Sequence, residues 1–83
     1  MTAPTSDELR NLIQAGLPCD HIEIEGEDGR HYFATIVSPA FAGLSRIARH
    51  RLVYDVLGDR MRAQVHALSM RTLTPDEAGR AGA

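Results

Sequence analysis

Asp28-Gly29-Arg30-His31-Tyr32-Phe33-Ala34-Thr35-Ile36-Val37-Ser38 is the stretch on which the fold turns. Asp28-Gly29 marks a tight turn because glycine accepts positive φ, and His31 to Ser38 is rich in aromatic and β-branched residues, a strand composition. Upstream, Ile22 and Ile24 alternate with His21, Glu23 and Glu25, the period of a strand with one wet face. The two runs form an antiparallel hairpin. Downstream, helical sequence separates this strand from a third strand-like run, Val65 to Leu73. A strand joined to a later one by helices normally lies parallel to it through a right-handed crossover, so strands two and three start at the same sheet edge.

The remaining segments supply the helices. Thr5 and Glu8 have the spacing of a capping box, and Leu9, Leu12, Ile13 and Leu17 recur at helical intervals until Gly16 and Pro18 end the pattern. Pro39 to Ala42 forms a short helical turn broken at Gly43, after which Ser45 caps the longest helix of the chain. At about 100° per residue, Ile47, His50, Val53, Tyr54, Leu57 and Met61 share the side expected to face the core. Ala48, Arg51, Asp55, Asp59 and Arg62 take the other. Gly58 costs roughly 1 kcal/mol in a helix interior and marks a possible early end. Thr74-Pro75 begins a final helix, with proline at N1. The apolar anchor is missing from Ala78 to Ala83, so the last residues are expected to fray, leaving a folded part from about 5 to 77.

The order is α-β-β-α-α-β(-α): a single α+β domain over 1–83, with a three-stranded mixed sheet and helices on one face. Eighty-three residues lie near the lower limit for a core that needs neither disulfide nor metal. The lone cysteine, Cys19, has no partner for an internal disulfide and belongs to no Cys-x-x-Cys pair, which points to a cytoplasmic protein. Neither a signal peptide nor a membrane span is encoded at the amino terminus. A net charge of −2 disfavours a nucleic-acid binder that works by neutralising phosphates.

Four histidines and one cysteine are the candidates for soft or borderline metal ligation, and they match no local metal motif. Any site must be assembled in space. His31 opens strand two and His66 lies near the start of strand three, so both imidazoles are expected at one sheet edge. His21 and Cys19, at the start of the antiparallel strand one, belong to the opposite edge. His50 lies in the core stripe of the long helix and is expected to have both ring nitrogens hydrogen-bonded. Ser38 or Ser45 with His50 and Asp55 lacks the strained elbow and oxyanion loop of a hydrolase. The scattered glycines make no phosphate-binding loop. The chain therefore reads as a non-enzymatic protein.

Arg46, Arg49, Arg51, Arg60 and Arg62 form the one local concentration of positive charge, interleaved with Asp55 and Asp59. The element order is similar to a type II KH domain, which clamps single-stranded nucleic acid with a Gly-x-x-Gly loop. Gly43-Leu44-Ser45-Arg46 stands in that place without the second glycine.

From about Leu9 to Asp76 the chain resembles the BolA-like family. The resemblance is carried by Ser38-Pro39-Ala40-Phe41-Ala42-Gly43, Arg49-His50-Arg51, Val65-His66-Ala67-Leu68 and Thr72-Leu73-Thr74-Pro75, in that order. It implies an adaptor that binds a monothiol glutaredoxin and shares a [2Fe-2S] cluster with the glutaredoxin cysteine and glutathione. In the family the histidine matching His66 is a ligand, and a second, Cys or His, comes from the region between the first two strands. His31 in Glu27-Asp28-Gly29-Arg30-His31-Tyr32-Phe33 fits the histidine variant. The short loop is closer to the IbaG-like branch. The tryptophan that often follows the Thr-Pro motif is absent, with Ala78 near its place. Roles in iron-sulfur trafficking, or in iron or stress sensing, follow from the resemblance. Members described as transcription regulators imply an alternative, DNA binding through Arg46, Arg49 and Arg51. Without its cluster the protein is expected to be a monomer or weak dimer.

Overall fold

The computed structural model describes residues 5–26, 31–64 and 67–81. Elements follow in the order α1 (Ser6–Gly16), β1 (His21–Glu25), β2 (His31–Val37), a 3-10 turn (Pro39–Phe41), α2 (Arg46–Gln64), β3 (Ala67–Leu73) and α3 (Pro75–Ala81). The α+β class and the expected order are both observed. The Asp28-Gly29 turn lies outside the described residues, but the strands on either side of it pair as expected.

α1 starts where its cap dictates. The Thr5 hydroxyl accepts the Glu8 amide at 3.1 Å, and Asp7 and Glu8 place negative charge against the exposed N–H groups of the first turn. Leu9 and Ile13 are completely buried. Gly16 lets this helix approach α2 closely: a Cβ there would stand 2.6 Å from Val56 Cγ1.

The sheet order is β1-β2-β3. β1 pairs antiparallel with β2, His21 beside Val37 and Glu25 beside Phe33. β2 pairs parallel with β3, His31 beside Ala67 and Val37 beside Leu73. With a side-chain period of two, Ile22, Tyr32, Ala34 and Ile36 turn to one face and are buried with Leu9, Ile13 and Leu17 around α1, Val53 and Leu57 of α2, and Phe41. His21, Glu23, Glu25, His31 and Phe33 turn the other way and are exposed.

Ser38 closes one end of this sheet. Its amide donates to the Leu73 carbonyl at 2.9 Å, its hydroxyl donates to the Pro18 carbonyl, and its oxygen accepts the Ala40 amide at 3.1 Å. The side chain is fully buried. One serine thus ties together the loop after α1, the end of β3 and the cap of the 3-10 turn.

α2 is interrupted at Gly58, where the sequence marked an end, because that glycine adopts φ 81°, ψ 164° and kinks the helix. It departs from expectation in two ways. The buried arc is rotated. Ile47, assigned to the core side, is 68% exposed, whereas Arg49 is turned inward at 13%. Those two positions are about 200° apart on a helix, so an inward Arg49 forces Ile47 out. Finally, His50 Nε2 is buried without a hydrogen-bond partner among the described residues, so the expected double satisfaction of its ring is not observed.

α3 is better formed than its composition suggested. The Thr74 amide donates to Glu77 Oε1 at 2.8 Å, and the Glu77 amide donates to Thr74 Oγ1 at 3.2 Å. This reciprocal capping box starts a helix that continues to Ala81, past the expected folded limit at 77.

Candidate functional site

The shared start of β2 and β3 is the first place to look for ligands. His31 opens β2, is solvent exposed and lies in register with Ala67, the first residue of β3. The next residue back along the sequence is His66, which lies outside the described residues together with Val65 and Arg30. His21 sits beside Val37 at the other end of β2, where its Nε2 faces Glu23 Oε1 at 3.2 Å. Cys19 is half-buried, its thiol directed at the Leu17 carbonyl at 3.3 Å. Burial, and secondarily Asp20, push that thiol's pKa up, away from the reactive thiolate. No cluster of three or more metal-ligating side chains occurs among the described residues. An exposed imidazole at a strand end is chemically suited to contribute one neutral nitrogen to a site completed by other groups.

The second polar centre surrounds Arg49. Its Nε donates to the Leu44 carbonyl at 2.9 Å, and Nη1 donates to the Thr72 carbonyl at 3.0 Å and to Glu77 Oε1 at 2.7 Å. Nη2 reaches Glu77 Oε2 at 3.4 Å, and Cζ lies 6.0 Å from the Phe41 ring centroid. The Arg49 hydrogen bonds, and then the Thr74 amide, hold the Glu77 carboxyl at about 2, well below its ordinary value. This arrangement corrects the place of Arg49 in the DNA-facing set with Arg46 and Arg51. A guanidinium satisfied by two carbonyls and a carboxylate of its own chain has little left for a phosphate.

Arg46 and Arg51 remain exposed. They do not share a surface, since five residues separate them by about 140° around the helix. Arg46 lines a cleft of about 290 Å³ with Leu44, Arg49, Thr72, Leu73 and Glu77. A carboxylate in that cleft is unfavourable to a polyanion. Ser38, considered above as a nucleophile, is committed to backbone groups and far from that role.

The Arg49–Glu77 pair was missed by sequence reasoning, although one signal for it was present. Thr74-x-x-Glu77 has capping-box spacing, which predicts an ordered carboxylate at the start of α3. Nothing in the sequence alone placed that carboxylate against α2.

These features define a small α+β domain with a histidine at a strand edge and an internal ionic clasp. Residues 13–77 match the family profile described as BolA-like protein. The chain belongs to the BolA-like family. It is 49% identical over 53 residues to SufE-like protein 1, chloroplastic/mitochondrial, of Arabidopsis thaliana, an alignment covering 63% of this chain and 14% of that protein. It is 47% identical over 47 residues to the DNA-binding transcriptional regulator BolA of Vibrio cholerae, covering 57% of this chain and 44% of the regulator. The chain thus spans only part of these relatives. The solved BolA domain of SufE1 from Arabidopsis thaliana superposes with a TM-score of 0.77 at 34% identity, covering 87% of this chain and 93% of that one. No described helix is long and apolar enough to cross a membrane.

Proposed function

We propose that this protein is a non-enzymatic adaptor that binds a monothiol glutaredoxin and contributes His66 and His31 to a shared [2Fe-2S] cluster, the other ligands being the glutaredoxin cysteine and glutathione. The observation that carries this reading is the parallel register of β2 and β3. His31 stands beside Ala67, one residue beyond His66 in the chain. Membership of the BolA-like family supports a role with a protein partner. His31 fits the task because it is exposed and lies at a strand end. The imidazoles would supply neutral ligands, which leave a cluster less negative than thiolates do and raise its reduction potential. Iron-sulfur trafficking or sensing suits such an assembly better than storage.

The test is visible absorbance and circular dichroism of the protein mixed with a monothiol glutaredoxin, glutathione, iron and sulfide. A heteromeric cluster spectrum that His66→Ala abolishes and His31→Ala alters is expected. A spectrum identical to that of glutaredoxin alone, with or without the protein, would reject the adaptor reading.

A second reading, a DNA-binding regulator, draws on the name of the Vibrio cholerae relative and on the exposure of Arg46 and Arg51. It predicts duplex binding that falls steeply with salt and survives His66→Ala. Binding that neither salt nor Arg46→Ala with Arg51→Ala reduces would exclude it.

A further inference from the structure

α1 and α2 pack on the face of the sheet that carries Ile22, Tyr32, Ala34 and Ile36, and the opposite face, closed at Val37, carries a readable pattern along the rest of its length. Its central row places Glu25, Phe33 and Ser69 side by side, and the next row of the same face places Glu23, Thr35 and Arg71 side by side. Phe33 is 50% exposed at the middle of the sheet. Glu23, Glu25, Ser69 and Arg71 are exposed around it. Among the described residues of this face, the carboxylates Glu23 and Glu25 lie on one flank of the aromatic side chain and the Arg71 guanidinium on the other.

We propose that this open face pairs two copies of the chain about a two-fold axis parallel to β2, with Phe33 against its counterpart and Glu23 against the partner subunit's Arg71.

The register selects this orientation over its alternative. A two-fold axis lying in the interface and running along β2 exchanges left and right while preserving height along the strands. β1 of one copy then lies over β3 of the other. Glu23 and Arg71 occupy the same row, so each Glu23 meets an opposite arginine and two ion pairs form per dimer. An axis across the strands would instead set β1 on β1, carboxylate facing carboxylate, which is repulsive. Sheets that pack face to face lie about 10 Å apart and within about 30° of alignment. Glutamate and arginine side chains one strand from the axis span the offset that such an angle introduces. Glu23 is also near His21, and that contact involves Oε1, leaving Oε2 for the arginine. Arg71 makes no ion pair with a described residue.

The size of the face fixes the strength of association. Three strands of five to seven residues give a surface about 14 Å wide and about 20 Å long, some 300 Å² per copy in plan. Stable complexes bury about 1,200 Å² or more in total. The dimer is therefore weak, concentration-dependent and sensitive to salt.

Sedimentation velocity across a concentration series tests this with the full chain alone. The wild type should shift toward dimer as concentration rises. E23R and R71E should each remain monomeric, since each confronts like charges across the axis. An equimolar mixture of the two variants should regain the shift, because the heterodimer restores both opposite-charge pairs. A wild type that stays monomeric at millimolar concentration overturns the proposal, as does a mixture no more associated than its components. Amide shifts of the wild type give a readout that needs no variant. Those of Glu23, Phe33, Thr35, Ser69 and Arg71 should move together with concentration, and movement confined to the helices overturns the proposal.

Discussion

Arg49 Nη1 stands 2.7 Å from Glu77 Oε1, and that same carboxylate oxygen accepts the Thr74 amide at 2.8 Å. A single oxygen thus joins the first half of α2 to the cap of α3. Arg49 also holds the Leu44 and Thr72 carbonyls. It therefore binds the turn before α2, the end of β3 and the last helix to one planar group, a task that suits guanidinium and not ammonium.

Arg49→Met keeps the bulk of the side chain and removes its donors. Losing the charged hydrogen bonds to the two carbonyls should cost about 2–3 kcal/mol, read as a lower urea midpoint. Arg49→Lys should recover only part of that loss, because one ammonium cannot reach two carbonyls and a carboxylate that lie in three directions.

Acid should loosen the same clasp. Glu77 is held at about 2 in the folded chain against an ordinary 4.5, so the folded state favours its ionised form. The contribution of this group is complete above pH 4.5 and disappears as pH falls through about 2. Glu77→Gln should therefore flatten the decline in stability between those limits, while losing stability at neutral pH. Thermal melts of both proteins from pH 6 to pH 2 measure it.

Ser38→Ala should be more disruptive than its exposed counterpart Ser45→Ala. The Ser38 oxygen is fully buried and donates to Pro18 while accepting from Ala40. Its removal strands both backbone groups at a cost of about 1–3 kcal/mol. Chemical denaturation distinguishes this from a surface cap, whose loss costs about 1 kcal/mol.

Gly58→Ala should destabilise the protein even though space exists for the new methyl group. A Cβ at that position meets nothing within 4 Å, but φ 81°, ψ 164° is a region that other residues scarcely enter. The cost is about 1–3 kcal/mol. Gly79→Ala, inside α3 and equally unobstructed, should by contrast be neutral or stabilising, because the substitution improves helix propensity.

Periodicity was enough to read the two strands of the hairpin and the N-cap of α1, because neighbours in sequence decide them, and the parallel pairing of β2 with β3 followed from the handedness of helical crossovers. The rotation of α2 was not legible. A hydrophobic wheel treats arginine as a surface residue, and Arg49 is inward only because Glu77 and the Thr72 carbonyl, both distant in sequence, satisfy it there together with the Leu44 carbonyl of the preceding turn. His50 was placed near the core for the same reason that Ile47 was, and the rotation leaves it half-buried. The position of His31 beside the start of β3 did follow from the sequence, through crossover topology alone.

The carbonyl that Arg49 takes from Thr72 has a further significance. Leu73 directs its carbonyl to Ser38, at the end of β2, so by strand alternation Thr72 directs its own away from the sheet, where β3 has no neighbouring strand among the described residues. An edge of this kind is a template on which foreign strands can grow. By occupying the last outward acceptor, Arg49 blunts the template at that end, and α3 begins two residues later. The interaction that secures the final helix is thus also a guard against runaway sheet extension, so that a chain lacking it should be prone to fibrillar aggregation as well as less stable.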